Sequence, residues 1–108
     1  MNSQELETAK RCGTPFVSVV CTDNRYGVIE LNQQRRFGRT FAVEFENPDL
    51  VTYSQAFGLP GFRVERAEDL LPVLRRALDL DVPSVVDVPV DASENLRLGS
   101  RRDVEVMV

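Results

Sequence analysis

The sequence contains no histidine, one lysine (Lys10) and two cysteines (Cys12 and Cys21). Without histidine, the side chain that most readily moves a proton near neutral pH is absent. Two cysteines outside any CxxC spacing cannot assemble a zinc or iron–sulfur centre, and both read as reduced, partly buried small hydrophobes. Neither a GxSxG nucleophile turn nor a glycine-rich phosphate loop occurs, which removes the common nucleophilic and nucleotide-binding constellations. The acidic pairs Glu44/Glu46 and Asp79/Asp81 fall in segments that read as solvated surface. No apolar run approaches the about 18 residues of a membrane span, and the start Met1-Asn2-Ser3-Gln4-Glu5 is polar, so no membrane partner and a cytoplasmic location are expected. With 13 basic against 17 acidic residues the net charge is −4. That balance argues against nucleic acid, because binding to a phosphate backbone needs clustered positive charge. The one basic cluster, Arg35, Arg36 and Arg39, reads as a solvated loop face.

What the sequence does contain is a 108-residue chain that is 43% hydrophobic, the length and composition of one globular unit. Residues 3–12 have helical spacing, with Asn2 or Ser3 placed to cap and Gly13 to stop. Pro15–Thr22 is a nearly continuous β-branched and aromatic run, the signature of a parallel strand covered on both faces. Val28, Ile29 and Leu31 suggest a short helix or turn, and the polar stretch Asn32–Thr40 a loop. Asn47-Pro48-Asp49 opens a helix over 48–57, with Asn47 as its cap. Gly61–Glu65 reads as a short strand. Ala67–Leu78 reads as an amphipathic helix in which Pro72 falls early enough to be tolerated. Pro83–Asp91 alternates between prolines, as expected of a strand near a sheet edge. Helices alternating with apolar strands imply an α/β fold with a parallel sheet of about three strands.

In such sheets ligands gather beyond the carboxyl ends of the strands. The first strand ends in Thr22-Asp23-Asn24-Arg25-Tyr26-Gly27, where one carboxylate, a backbone carbonyl and a bound diphosphate would suit the hard-oxygen preference of Mg²⁺. Taken alone, Asp-Asn is most often just turn chemistry.

The ordered set of segments carries more information than any one of them. Met1–Ala9, Thr22–Gly27, Phe45-Glu46-Asn47-Pro48-Asp49, Ala56-Phe57-Gly58, Phe62-Arg63-Val64-Glu65 and Asp87-Val88-Pro89-Val90-Asp91 together resemble thiamine-diphosphate-dependent enzymes of the acetolactate synthase type over residues 1–98. The resemblance implies the C-terminal part of a thiamine-diphosphate-binding domain, a truncated three-layer Rossmann-like parallel sheet, followed by a tail over residues 99–108. It places Asp23 as the side-chain Mg²⁺ ligand and the Arg25 carbonyl as a second ligand. Asn24, Tyr26 and Gly27 complete the cofactor-binding turn, and Gln33 lies on the substrate side. In that family a Gly-Asp-Gly motif opens the site ahead of the segment matching Met1, and a glutamate from a neighbouring subunit activates the cofactor, which carries the chemistry on a 2-keto acid. Only the closing half of the motif lies in this sequence. The expected function is therefore that of a transferase-derived domain, from branched-chain amino acid or acetoin metabolism. It would bind thiamine diphosphate and Mg²⁺ weakly, with no catalytic residue of its own, unless a homo-oligomer or a complementing chain completes it. The alternative is a non-catalytic α/β interaction module or gene remnant. The strand Phe16–Thr22, apolar on both faces, is expected to have an open edge beside Val17, Val19 and Cys21.

Overall fold

The computed structural model describes residues 3–94, so the expected tail at 99–108 lies outside the described residues. These residues form two units. Among the described residues, one comprises 3–22 together with Asn47–Pro89, and the other comprises Asp23–Glu46 with 90–94.

The first unit is built on a parallel sheet. Strands β1 (Val17–Thr22), β2 (Gly61–Arg63) and β3 (Ser84–Pro89) lie in the order β1-β3-β2, with Val17 beside Ser84 and Gly61 beside Val85. Successive residues of β3 point to opposite faces, which creates two cores. On one face Val85 packs with Leu6 of α1 (Glu5–Cys12) and Leu59, flanked by Leu50 and Tyr53 of α3 (Leu50–Ala56). On the other, Val86 packs with Val64 and Ala77, flanked by Leu70, Val73 and Leu74 of α4 (Leu70–Asp79). Helices on both faces of a parallel sheet make the three α/β layers expected from the sequence.

Several boundaries differ from the sequence reading for physical reasons. The last strand is the centre of the sheet rather than near its edge, because Pro83 precedes it and Pro89 is its final residue. Neither proline removes a ladder bond from its interior. β2 is three residues long, and the Val64 amide donates the last bond of its ladder to the Asp87 carbonyl (2.9 Å). A 3-10 turn, Ala67–Asp69, precedes α4, which leaves Pro72 in the helix's first turn. Helix α1 starts after Gln4 with no side-chain cap, and the Ser3 hydroxyl instead accepts a bond from Tyr53 (2.7 Å). Gly13 closes α1 in the left-handed conformation, φ 61°. The cysteines are exposed rather than partly buried: Cys12 ends a surface helix and Cys21 lies on the edge strand β1.

The cap of α3 is Asp49, not Asn47. Its carboxylate accepts from the Thr52 amide at 2.6 Å, and chiefly this bond holds its carboxyl below the ordinary value of 3.8. A depressed folded-state value means that the cap contributes in full above the ordinary value and is lost as the pH falls through the depressed one. The denaturation midpoint should therefore fall more steeply between about pH 5 and pH 2 in the wild type than in Asp49→Asn, which caps without titrating. Equal acid slopes would show that Asp49 does not govern this helix.

The second unit contains helix α2 (Gly27–Phe37), which replaces most of the expected Asn32–Thr40 loop. It has no buried residue and ends at Gly38, φ 65°, whose amide bonds the Gln34 carbonyl. The first turn carries Glu30 and the last turn Arg35 and Arg36, the charge order that complements a helix dipole.

Candidate functional site

Beyond the carboxyl end of β1 the chain makes a sharp turn over Asp23–Tyr26 in the second unit. Asp23 is half-buried, and one of its carboxylate oxygens accepts from the Arg25 amide (3.0 Å), the Asx turn that Asp favours at such positions. Asn24 takes a left-handed conformation, φ 56°, which Asn tolerates better than other side-chain-bearing residues. Two backbone bonds, Tyr26 amide to Val43 carbonyl (2.8 Å) and Phe45 amide to Asn24 carbonyl (3.0 Å), fasten the turn to the segment 43–45. Rings stack across the same junction, with Tyr26 and Phe45 centroids 4.7 Å apart. Val43 is the buried apolar residue beneath.

Arg25 points its guanidinium at two carboxylates, Glu30 of α2 and Glu44 (2.9 Å). This commits its side chain to the fold and leaves its main chain for other duty. Beside it, Asp91 accepts from the Ser93 amide (2.9 Å), and that bond lowers the Asp91 pKa below 3.8. Arg25, Gly27, Glu30, Asp91 and Ser93 line an open cavity of about 280 Å³.

Helix α2 begins immediately after the turn. Its cap residue, Tyr26, makes no side-chain cap bond, and a helix start leaves its first amides without intrahelical partners. Amides of this kind, at the positive end of a helix, suit a phosphate group. The hard oxygens of Asp23 and of the turn's main chain suit Mg²⁺. No cluster of three or more His, Cys, Asp or Glu side chains that could hold a metal ion occurs among the described residues. The turn therefore fits a metal–diphosphate group as one side of a shell.

Five of the six residues singled out by sequence, Asp23, Asn24, Arg25, Tyr26 and Gly27, come together in this turn. Gln33 does not join it by any bond. Its carboxamide clamps the Phe41 backbone, donating to the carbonyl (3.2 Å) and accepting from the amide (2.7 Å). Phe41 itself is 83% exposed, and the next residue, Ala42, is left-handed at φ 53°. Sequence reasoning missed Glu30, Glu44 and Asp91; the first two carry no spacing signal, whereas Asp91-Ala92-Ser93 has the composition of an Asx turn.

In the first unit, the carboxyl ends of all three strands are tied by one side chain. Asp87 of β3, 2% exposed, accepts from the Thr22 hydroxyl of β1 (2.7 Å) and from Arg63 of β2 (2.9 Å).

Comparison with known proteins adds the following. Residues 1–88 match the family described as thiamine pyrophosphate enzyme, C-terminal TPP binding domain. The chain is 41% identical over 99 residues to an acetolactate synthase of Bacillus subtilis, covering 92% of this chain and 17% of that one. It is 43% identical over 94 residues to a catabolic acetolactate synthase of Raoultella terrigena, covering 87% of this chain and 17% of the relative. Among solved structures, benzoylformate decarboxylase from Polynucleobacter necessarius superposes with a TM-score of 0.74 at 22% identity, over 84% of this chain and 17% of that chain. That likeness bears on the fold alone.

Proposed function

The chain belongs to the thiamine pyrophosphate enzymes, as their C-terminal TPP-binding domain, and we propose that it supplies one side of a thiamine diphosphate–Mg²⁺ site of acetolactate-synthase type without catalysing a reaction by itself. The observation that carries this reading is the Asp23–Gly27 turn: a half-buried carboxylate set by the Arg25 amide, followed at once by an uncapped helix start. Asp23 and the Arg25 carbonyl would hold the metal, and Asn24, Tyr26 and Gly27 the diphosphate. Bound there, the cofactor would supply the carbon–carbon chemistry of a 2-keto acid transferase, in branched-chain amino acid or acetoin metabolism in the cytoplasm. Gln33 would serve the substrate side by giving up one of its two bonds to Phe41.

Catalysis needs groups that this chain does not bring. It has no histidine, and its one lysine is bonded to the Phe57 carbonyl (2.8 Å). A homo-oligomer or a complementing chain would have to provide the remainder, and the chain spans only 17% of the length of the acetolactate synthases that it matches. No helix among the described residues is long and apolar enough to cross a membrane, and nothing in the charge pattern favours nucleic acid.

Calorimetric titration with thiamine diphosphate and Mg²⁺ tests the proposal. Weak, Mg²⁺-dependent binding is expected, abolished in Asp23→Ala, with no acetolactate formed from pyruvate. Low-micromolar affinity would mean that other residues complete the metal shell, and unchanged binding in Asp23→Ala would move the site elsewhere. A second reading, a non-catalytic interaction module, is favoured by the commitment of both Gln33 amide atoms to the backbone. Under that reading the titration shows no heat.

A further inference from the structure

Arg25 and Glu44 face each other in an isolated antiparallel bridge. The two bonds that flank them, Tyr26 amide to Val43 carbonyl (2.8 Å) and Phe45 amide to Asn24 carbonyl (3.0 Å), make this a non-hydrogen-bonded pair, the kind in which opposite side chains come closest. The same pattern dictates where the polar groups of Arg25 itself point. A trans peptide is planar, with its N–H and C=O directed to opposite sides, and no cis bond occurs among the described residues. The Asn24 carbonyl turns toward Phe45, so the Arg25 amide turns away from segment 43–45, where it meets the Asp23 carboxylate (3.0 Å). The Tyr26 amide turns toward Val43, so the Arg25 carbonyl also turns away from that segment. The Asp23 carboxylate and the Arg25 carbonyl thus lie on one side of the turn, and the bridge to 43–45 places them there.

A bridge of two backbone bonds is a weak clasp, since even a full two-stranded hairpin is marginal in water. Charge reinforces it. The Arg25 guanidinium bonds Glu30, in the first turn of α2, through one terminal nitrogen, and Glu44, directly across the bridge, through the other (2.9 Å). The planar fork of an arginine suits this double duty, because its donors are fixed in direction and serve two acceptors at once. Glu30 comes from the helix that follows the turn and Glu44 from the segment that returns to it, so one guanidinium ties both neighbours of the turn to Arg25.

We propose that Glu30 and Glu44 are positioning residues for the metal: by pinning the Arg25 guanidinium they hold the Arg25 carbonyl on the Asp23 side of the turn, a conclusion that rests on the metal reading proposed above. The guanidinium takes up both carboxylates, so they act through Arg25 and not as ligands. Glu44 is 73% exposed and Arg25 38%, and pairs this open add little to the stability of a whole chain. Their effect is local. The Tyr26–Phe45 ring stack spans the same junction, so loss of the pairs loosens the bridge without abolishing it.

Charge and positioning predict opposite signs for one substitution. Arg25→Met removes the guanidinium and leaves both carboxylates, so the surroundings of the turn become one charge more negative, which by charge alone favours Mg²⁺. Through positioning, the same change weakens Mg²⁺ binding. Calorimetric titration of the full chain with Mg²⁺, at constant thiamine diphosphate, should show affinity about fivefold weaker in Arg25→Met, the order of two ion pairs of modest strength. Glu44→Gln should weaken binding more in the wild type than in the Arg25→Met background, the coupling that a double-mutant cycle isolates. Without ligand, the Tyr26 and Phe45 amides should exchange several-fold faster in Arg25→Met, while those of β1 and β3 do not change. Should Arg25→Met fail to fold, Arg25→Lys keeps the charge but lacks the fork, and should lose about twofold. Mg²⁺ affinity in Arg25→Met equal to or tighter than in the wild type would overturn the inference and leave Asp23 as a ligand. So would unchanged exchange of the Tyr26 and Phe45 amides. No Mg²⁺-dependent binding in the wild type would overturn the metal reading, and this inference with it.

Discussion

Replacing Asp87 with Ala is expected to destabilise the chain by about 3 kcal/mol, a large share of the about 5–15 kcal/mol that holds a small domain folded. The carboxylate is buried in the central strand and takes a bond from each outer strand, Thr22 Oγ1 on one side and Arg63 on the other. Its removal leaves the Thr22 hydroxyl and the guanidinium without their shared acceptor, and it unties the end of the sheet from which the candidate turn departs. Arg63 is half-exposed and can recover hydration, which keeps the loss toward the lower end for a broken buried pair. Asp87→Asn should lose roughly half as much, since an amide oxygen can still accept from Thr22. Urea denaturation reads both. A loss in Asp87→Ala below about 1 kcal/mol would show that the tie between strands contributes little beyond an ordinary surface pair.

How much of this was legible beforehand depended on whether the signal was local. Helices α1 and α4 and strand β1 follow from apolar period and punctuation, and they stand where the sequence places them to within a few residues. Helix α2 hides because it buries nothing: Asn32, Gln34, Arg35 and Arg36 give it no apolar stripe, and it is held by its own turns. The paired prolines of the last strand pointed to an edge, yet both fall at its limits, and the charge within it, Asp87, is one that a central position can satisfy. The sequence places the cap of α3 at Asn47, ahead of Pro48, but it is the Asp49 carboxylate that reaches the Thr52 amide, and so the helix starts two residues later. The candidate turn was legible because Asp23–Gly27 are contiguous. Their supports, Glu30, Glu44, Val43 and Phe45, arrive from further along the chain, and the clamp of Gln33 on Phe41 depends on a helix that the sequence does not announce.

Gly61→Ala is expected to cost about 2 kcal/mol, and Gly61→Val more, although neither change removes a contact. Gly61 opens β2 where α3 crosses closest to the sheet. A Cβ built there would lie 2.8 Å from the Val51 Cα, 2.9 Å from the Val51 carbonyl oxygen and 3.1 Å from the Ser54 Cβ. Two of those three atoms are helix backbone, which cannot rotate aside as a side-chain tip can. Ser54 is fully buried and holds the Pro60 carbonyl through its hydroxyl (2.8 Å), so α3 cannot retreat without stretching that bond. The added methyl must therefore lift the helix from the sheet and loosen Leu50 and Tyr53, which flank the Leu6–Leu59–Val85 core. Gly58 is the instructive contrast: there the new Cβ would meet the tip of Lys10, which can swing away, and the penalty comes instead from its φ of +67°. Substituting Ala at each position separates crowding from backbone strain. A Gly61→Ala midpoint within about 0.5 kcal/mol of the wild type would show that α3 slides freely and that the close approach is not what fixes it on the sheet.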